Sequence, residues 1–176
     1  MKTIFISIFL ILYSHTIFAQ NKINAELRYN LIMATNINAP NYGFEDENSI
    51  GNSIRFLLGY HINNHININV GLGLDGYSNA HGINTAPLVL NIKYSPNGKP
   101  KGIFFLAEGG PQVTFSSTED KGYMFLGGMG YKIKLSRLIR LNFLAGYNYQ
   151  KTTKGFSNFD DDSSRQGFFI GTSISL

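Results

Sequence analysis

Cysteine is absent from the 176-residue chain, which excludes a disulfide framework, a thiolate metal site and a lipid anchor on a cysteine. Charge is scarce as well. Asp, Glu, Lys and Arg make up 15% of the residues, against roughly 25% in an ordinary globular domain. Past Ala19 no apolar run approaches the roughly 20 residues that a membrane helix needs. Hydropathy alone reads such a chain as soluble. That reading misses what the sequence carries in alternation.

The first residues read as a targeting segment. Lys2 gives a positive start, Ile4 to Tyr13 is almost unbroken apolar sequence, and Ser14, His15 and Thr16 lower the hydrophobicity before Ile17-Phe18-Ala19-Gln20. A short apolar core behind a positive residue, ending at a small one, is the pattern of a secretory signal peptide, and it is short for a membrane span. The expectation is a signal peptide over residues 1–19, cleaved after Ala19, and one domain over 20–176.

Taking every second residue of that domain resolves eight segments. Ala25, Leu27, Tyr29, Leu31 and Met33 share a face, with Glu26, Arg28 and Asn30 between them. Ile54, Phe56, Leu58 and Tyr60 follow, then Ile66, Ile68, Val70, Leu72 and Leu74, then Leu88, Leu90, Ile92 and Tyr94. Ile103, Phe105 and Ala107 mark the fifth segment, and Tyr123, Phe125, Met129, Tyr131 and Ile133 the sixth. Ile139, Leu141, Phe143, Ala145, Tyr147 and Tyr149 make the seventh, and Phe168, Ile170, Ile174 and Leu176 the last. Successive side chains of a strand leave opposite faces of the pleat, so a sustained period of two is a strand signal. No Asp, Glu, Lys or Arg occupies the apolar face of any segment.

The connections alternate too. Ile62-Asn63-Asn64, Ser95-Pro96-Asn97-Gly98-Lys99-Pro100 and Ser136-Arg137-Leu138 are short turns, whereas the connections near 36–52, 78–85, 116–121 and 151–165 are longer. Tight turns at one end and loops at the other are the arrangement of an outer-membrane barrel. The fold expected is all-β: an eight-stranded antiparallel up-and-down transmembrane β-barrel in the cell outer membrane.

Alternation does not say which way the apolar face points. A secreted, soluble lipocalin-like ligand-binding barrel would turn it inward. The polar face here is rich in Gly, Asn and Ser rather than Lys and Glu, unlike a solvated exterior. Tyr60, Tyr94, Tyr131, Tyr147 and Tyr149 recur near segment ends, as in an interfacial girdle. A small interior filled with Phe and Tyr from every strand would be overcrowded, so Gly and hydrogen-bonded polar groups are expected inside. Lipid is therefore expected to meet Leu27, Tyr29, Leu31, Phe56, Leu58, Ile68, Val70, Leu72, Leu90, Ile92, Phe105, Phe125, Met129, Leu141, Phe143, Ala145, Phe168, Ile170 and Ile174.

Two stretches carry a family likeness: Ala86-Pro87-Leu88-Val89-Leu90-Asn91-Ile92-Lys93-Tyr94 and Phe105-Leu106-Ala107-Glu108-Gly109-Gly110-Pro111. With the segment pattern around them, the chain resembles the bacterial outer-membrane β-barrel superfamily of small OmpX-like and porin-like barrels. Many members end on an aromatic residue where this sequence has Leu176. A resemblance of this kind implies architecture and is nearly silent on activity.

Glu26, Arg28, Arg55, Asp75, Lys93, Glu108, Lys132, Lys134 and Arg140 fall on the expected inner face. Charges in a narrow lumen must be paired, so carboxylates bridged by Arg and Lys are expected there, as a plug or as a gated path for small solutes. Glu45-Asp46-Glu47, Glu119-Asp120 and Asp160-Asp161-Asp162 place most carboxylates in loops, where a solvated tip or a cation bridge to lipopolysaccharide are the readings. Their spacing matches no EF-hand.

His61 and His65 flank a turn without a Cys or carboxylate partner, and His81 stands alone. No His precedes a Ser by two residues, as in barrel-embedded lipid A deacylases, and no Gly-x-Ser-x-Gly elbow occurs. No enzyme activity, cofactor or metal is expected. The basic residues are scattered rather than striped, which argues against nucleic acid despite a sequence pI near 9.2. The reading is a monomeric structural or surface-interaction barrel, in contact with membrane lipid and lipopolysaccharide. Its loops, with Tyr42, Phe44, Phe156 and Phe159, would supply any partner contact. The alternatives are a narrow pore for small solutes and the soluble ligand-binding barrel.

Overall fold

The computed structural model describes residues 22–39, 44–45, 49–77, 85–114, 121–153 and 162–176. The signal peptide expected at 1–19 lies outside them. The strands are β1 (Ile23–Ala39), β2 (Phe44–Glu45), β3 (Ser49–His61), β4 (Ile66–Tyr77), β5 (Thr85–Tyr94), β6 (Gly102–Thr114), β7 (Lys121–Lys134), β8 (Arg140–Thr153) and β9 (Asp162–Ser175). Chain neighbours pair antiparallel, β2 being a two-residue addition to the end of β1, and β9 returns to pair with β1. Eight long strands thus close an up-and-down barrel with no free sheet edge.

Local chemistry sets the tight turns. Asn63 Oδ1 accepts from the backbone N–H groups of His65 and Ile66, both at 2.8 Å. Ser136 Oγ accepts from those of Leu138 (3.2 Å) and Ile139 (3.0 Å). Between β5 and β6 the chain reverses through Ser95-Pro96-Asn97-Gly98, where Gly98 adopts φ 58°, a left-handed conformation that glycine takes without strain. Pro87 in β5 and Pro111 in β6 have no N–H to donate, and the β4–β5 and β5–β6 ladders skip residues beside them without losing register.

At the opposite end the strands run further than the apolar alternation does. The segments near 36–52 and 151–165 are not loops throughout: β1 extends to Ala39, β3 begins at Ser49, β8 continues to Thr153 and β9 starts at Asp162. Pairing uses backbone groups alone, so strands that rise beyond the apolar belt stay paired while their side chains turn polar. The rest of those connections, with 78–84 and 115–120, lies outside the described residues.

The apolar face points outward. Leu72 is 63% exposed, Phe143 50% and Ile170 51%, whereas Arg28 is 0% and Glu108 3% exposed. Leu27, Tyr29, Phe56, Leu58, Val70, Leu90, Ile92, Phe105, Phe125, Met129, Ala145, Phe168 and Ile174 are likewise exposed on the outer face, with Leu31, Ile68 and Leu141 half-buried there. A continuous belt of this kind far exceeds the few hundred Å² of apolar patch that water tolerates on a monomer. A soluble, inward-apolar barrel is therefore excluded.

Tyrosines edge the belt at two levels. Tyr60, Tyr94 and Tyr131 sit toward the tight turns, and Tyr123, Tyr147 and Tyr149 toward the other end, where Tyr123 packs against Tyr149 at 6.2 Å between ring centroids. On β7, eight residues separate Tyr131 from Tyr123. At ~3.4 Å per residue and a tilt of about 40° that is roughly 20 Å of height, close to the apolar band of an outer-membrane barrel.

The interior departs from the expectation of glycine and polar groups alone. Ile32, Leu57, Val89, Phe104, Leu106, Met124, Leu126, Leu144 and Phe169 are buried inside and form an apolar cluster. They fit because bulk on one strand faces glycine on the next. Phe104 pairs with Gly130, Phe169 with Gly146, Leu57 with Gly71, Arg55 with Gly73 and Tyr77 with Gly51. A Cβ at Gly130 would lie 2.5 Å from Phe104 Cζ, and one at Gly146 2.7 Å from Phe169 Cε1. The overcrowding argument is thus answered strand by strand rather than by excluding large side chains.

Two outcomes are expected of this packing. Leu72→Arg, in the middle of the belt, should destabilise the barrel by about 2–4 kcal/mol in urea unfolding from liposomes. At Gly51 an added Cβ would sit 2.5 Å from Tyr77 Cε1. Gly51→Leu should therefore cost about 1–3 kcal/mol of overpacking, and Tyr77→Ala in the same chain should recover much of that loss.

Candidate functional site

The lumen holds the charged residues that the strands turn inward. Arg28 on β1 and Arg55 on β3 are directly opposite in the ladder, an arrangement that repels if left alone. Glu108, arriving from β6 across the barrel, accepts from both: Arg28 Nη1 donates to Oε2 at 2.7 Å and Arg55 Nε to Oε1 at 3.2 Å. Arg28 Nε also donates to Glu26 Oε1 at 3.0 Å, and Lys93 pairs with the other oxygen of Glu26. Arg55 holds Asp75 through two nitrogens, Nη2 donating to Oδ2 at 2.9 Å. The result is an unbroken series, Lys93–Glu26–Arg28–Glu108–Arg55–Asp75, in which three cations alternate with three anions. Its formal charge is zero.

Neutral groups extend the series both ways. Asn67 Nδ2 donates to Asn24 Oδ1 (2.7 Å), Asn24 Nδ2 to Asn69 Oδ1 (3.2 Å), Asn69 Nδ2 to Asn91 Oδ1 (2.9 Å), and Asn91 Nδ2 to Glu108 Oε2 (3.0 Å). Each amide points its N–H toward Glu108, so each polarises the next in favour of the negative charge. Toward the loop end, Gln150 Nε2 donates to Asp75 Oδ2 at 2.8 Å, and Tyr77 Oη to Gln150 Oε1 at 2.9 Å. The Arg165 guanidinium lies 4.7 Å from the Tyr77 ring centroid. The apolar cluster shares the interior with this polar network, and Ile32, Leu57 and Val89 reach it from the same strands β1, β3 and β5.

Of the nine residues expected inside, Glu26, Arg28, Arg55, Asp75, Lys93 and Glu108 form this series. Lys132 and Arg140 do not join it. They are half-buried at the turn end, where Lys132 Nζ donates to Ser95 Oγ at 3.0 Å and Arg140 Nη1 lies 3.4 Å from His61 Nε2. Lys134 is exposed on the rim and has no place in the lumen. Alternation gives its face, but the last residue of a strand has left the barrel wall that would enclose it. His61 Nδ1 lies 3.3 Å from Asn67 Nδ2, while His65 Nδ1 lies 3.0 Å from the Ser95 carbonyl oxygen and its ring stacks on Tyr94 at 6.4 Å. No group of three or more His, Asp or Glu suited to a metal ion occurs among the described residues.

Sequence reasoning missed Tyr77, Gln150 and Arg165. Tyr77 and Gln150 carry the inner-face parity of their strands. Arg165 does too once β9 is extended to its true start, so the signal was a strand boundary rather than a motif. His81, Glu119, Asp120, Asp160 and Asp161 lie outside the described residues.

Neither a family model nor a curated protein matches the sequence. Among solved structures the chain is similar to Neisserial surface protein A, at 16% identity and TM-score 0.54 over 86% of this chain and 96% of that one. It is also similar to the N-terminal β-barrel domain of Pseudomonas aeruginosa OprF, at 13% identity and TM-score 0.44 over 87% and 97% of the two chains. The KdgM porin aligns at 13% identity and TM-score 0.36 over 86% and 99%. This is the fold of the small outer-membrane β-barrels. The outward apolar belt and its tyrosine borders supply the physical counterpart of that likeness.

Removing Glu108 would leave two buried guanidinium groups facing each other. Glu108→Ala should destabilise the barrel by about 3–5 kcal/mol in liposome unfolding. Pairing it with Arg28→Met should cost less than the sum of the two single changes, because one of the uncompensated charges has gone.

Proposed function

We propose that the protein is an outer-membrane barrel whose lumen is a structural plug and whose contacts with the outside are made by its loops. The plug carries this reading. A neutral ion series, an amide relay and an apolar cluster share the interior, and the largest side chains among them are nearly inaccessible. An ion crossing such a lumen would have to break salt bridges held in low dielectric, where each broken pair leaves a buried charge. A path for solutes would need water along its length instead.

The loop role rests on sequence and topology. Of the chain's eleven carboxylates, three are in the lumen series, and the others fall at 45–47, 119–120 and 160–162, in the connections at one end of the barrel or, for Glu45 and Asp162, in the strand residues beside them. That end carries the longer connections, which in outer-membrane barrels face outward. Acidic segments there suit divalent cations shared with lipopolysaccharide phosphates, and the aromatic residues Tyr42, Phe44, Phe156 and Phe159 suit a protein or glycan surface. We propose a monomer seated directly in lipid, without an enzymatic site or cofactor.

Planar-bilayer recording of the refolded protein checks the plug. No reproducible conductance steps are expected. Steps that disappear on Lys132→Gln or Arg140→Gln would instead assign the protein as a narrow pore.

A further inference from the structure

The tight-turn end of the barrel gathers cations that, among the described residues, have no carboxylate at salt-bridge distance. Lys132 and Arg140 form the wall between a cavity of about 40 Å³, which reaches into the lumen, and an adjoining one of about 250 Å³ at the rim. Lys99, Lys134 and Arg137 line the outer cavity, His61 lines both, and no carboxylate lines the outer one. Among the described residues none of these five cations has a carboxylate within salt-bridge distance. Glu26 borders the inner cavity, but its two oxygens are already held by Arg28 and Lys93.

Two details show that the cations are oriented. Arg140 Nε is buried and has no acceptor. Lys132 Nζ is held by Ser95 Oγ and lies 5.8 Å from the Phe104 ring centroid, so the aromatic floor of the pocket fixes its direction. A buried donor without an acceptor carries a desolvation cost, and like charges in one concavity repel. An anion with several oxygens would relieve both, because it can accept from the guanidinium edge and an ammonium at once.

We propose that this pocket is a binding site for a phosphate-class oxyanion, anchored by Arg140 and Lys132 with Lys99, Lys134 and Arg137 around the mouth. In an outer-membrane barrel the tight turns face the periplasm. The phosphate there is either a free solute or the headgroup of a lipid in the inner leaflet.

The probe is inorganic phosphate, titrated at constant ionic strength into refolded full-length protein in a non-ionic maltoside detergent. The readout is the nitrogen NMR signal of the Arg140 Nε–H. A saturable shift is expected, with binding weakened about tenfold or more in Lys132→Gln, which keeps the reporting Arg140 in place; that is the scale of one lost charge-assisted hydrogen bond. Lys134→Gln, on the exposed rim, should fold normally and weaken binding by a smaller factor. Heat-dependent gel migration establishes that each variant is folded.

The same signal is then read in phosphatidylglycerol nanodiscs without added phosphate. A resonance already shifted there, and unmoved by phosphate, identifies the lipid headgroup as the source. One that still responds to added phosphate identifies a free solute. Absence of a saturable change in both media overturns the proposal. So does an equal response at Lys121, at the far end of the barrel, because that would be general screening.

Discussion

A single carboxylate reconciles the two arginines on which the interior depends. Arg28 and Arg55 meet across the β1–β3 ladder, a pairing that on its own would push these strands apart. Glu108 accepts from both, and because it comes from β6 its bonds also span the barrel. The other charges of the ion series are arranged around that bridge. Glu26 and Asp75 take up the remaining edges of the two guanidinium groups, and Lys93 closes the series at zero net charge. In lipid no water is at hand to compensate an error, so the neutrality of this series is as much a folding condition as apolarity outside the wall.

The second constraint is size. Eight strands leave an interior that side chains themselves must fill. The chain meets this with a polar network drawn from β1, β3, β4, β5 and β6 and an apolar cluster to which β1, β3 and β5 give Ile32, Leu57 and Val89 and the later strands give Phe104, Leu106, Met124, Leu126, Leu144 and Phe169. The asparagines belong to the first. Four of them, Asn24, Asn67, Asn69 and Asn91, pass donors in one direction toward Glu108. An amide is suited to this because it carries both a donor and an acceptor without adding charge to a closed compartment.

How much of this was legible in the sequence follows from the range of each interaction. The belt needs no knowledge of the neighbouring strand: Leu72, Phe143 and Ile170 face outward because their own segments alternate, and the structure places them there. The sorting of Arg28, Arg55 and Glu108 away from that face was legible for the same reason. Which arginine meets which carboxylate was not, because residues 28 and 108 become neighbours only after closure fixes the stagger of the strands. The apolar side of the lumen was hidden likewise. Phe104 and Phe169 lie at inner-face positions, but they look too large until Gly130 and Gly146 are known to stand opposite. Lys134 shows the converse limit: parity assigns a face, and only the end of the wall decides whether that face is enclosed.

The glycine positions have a consequence for assembly. A strand that slides by two residues still presents its greasy side to lipid, so the membrane cannot detect the mistake. The inside can. Sliding β9 against β8 by that amount would bring Phe169 from Gly146 onto Leu144, two bulky groups where only one fits. Between β3 and β4 the same slip would set Leu57 against Asn69 in place of Gly71. Large-to-small matching along the lumen therefore acts as a set of key cuts, admitting one alignment of the wall out of the several that the bilayer would accept.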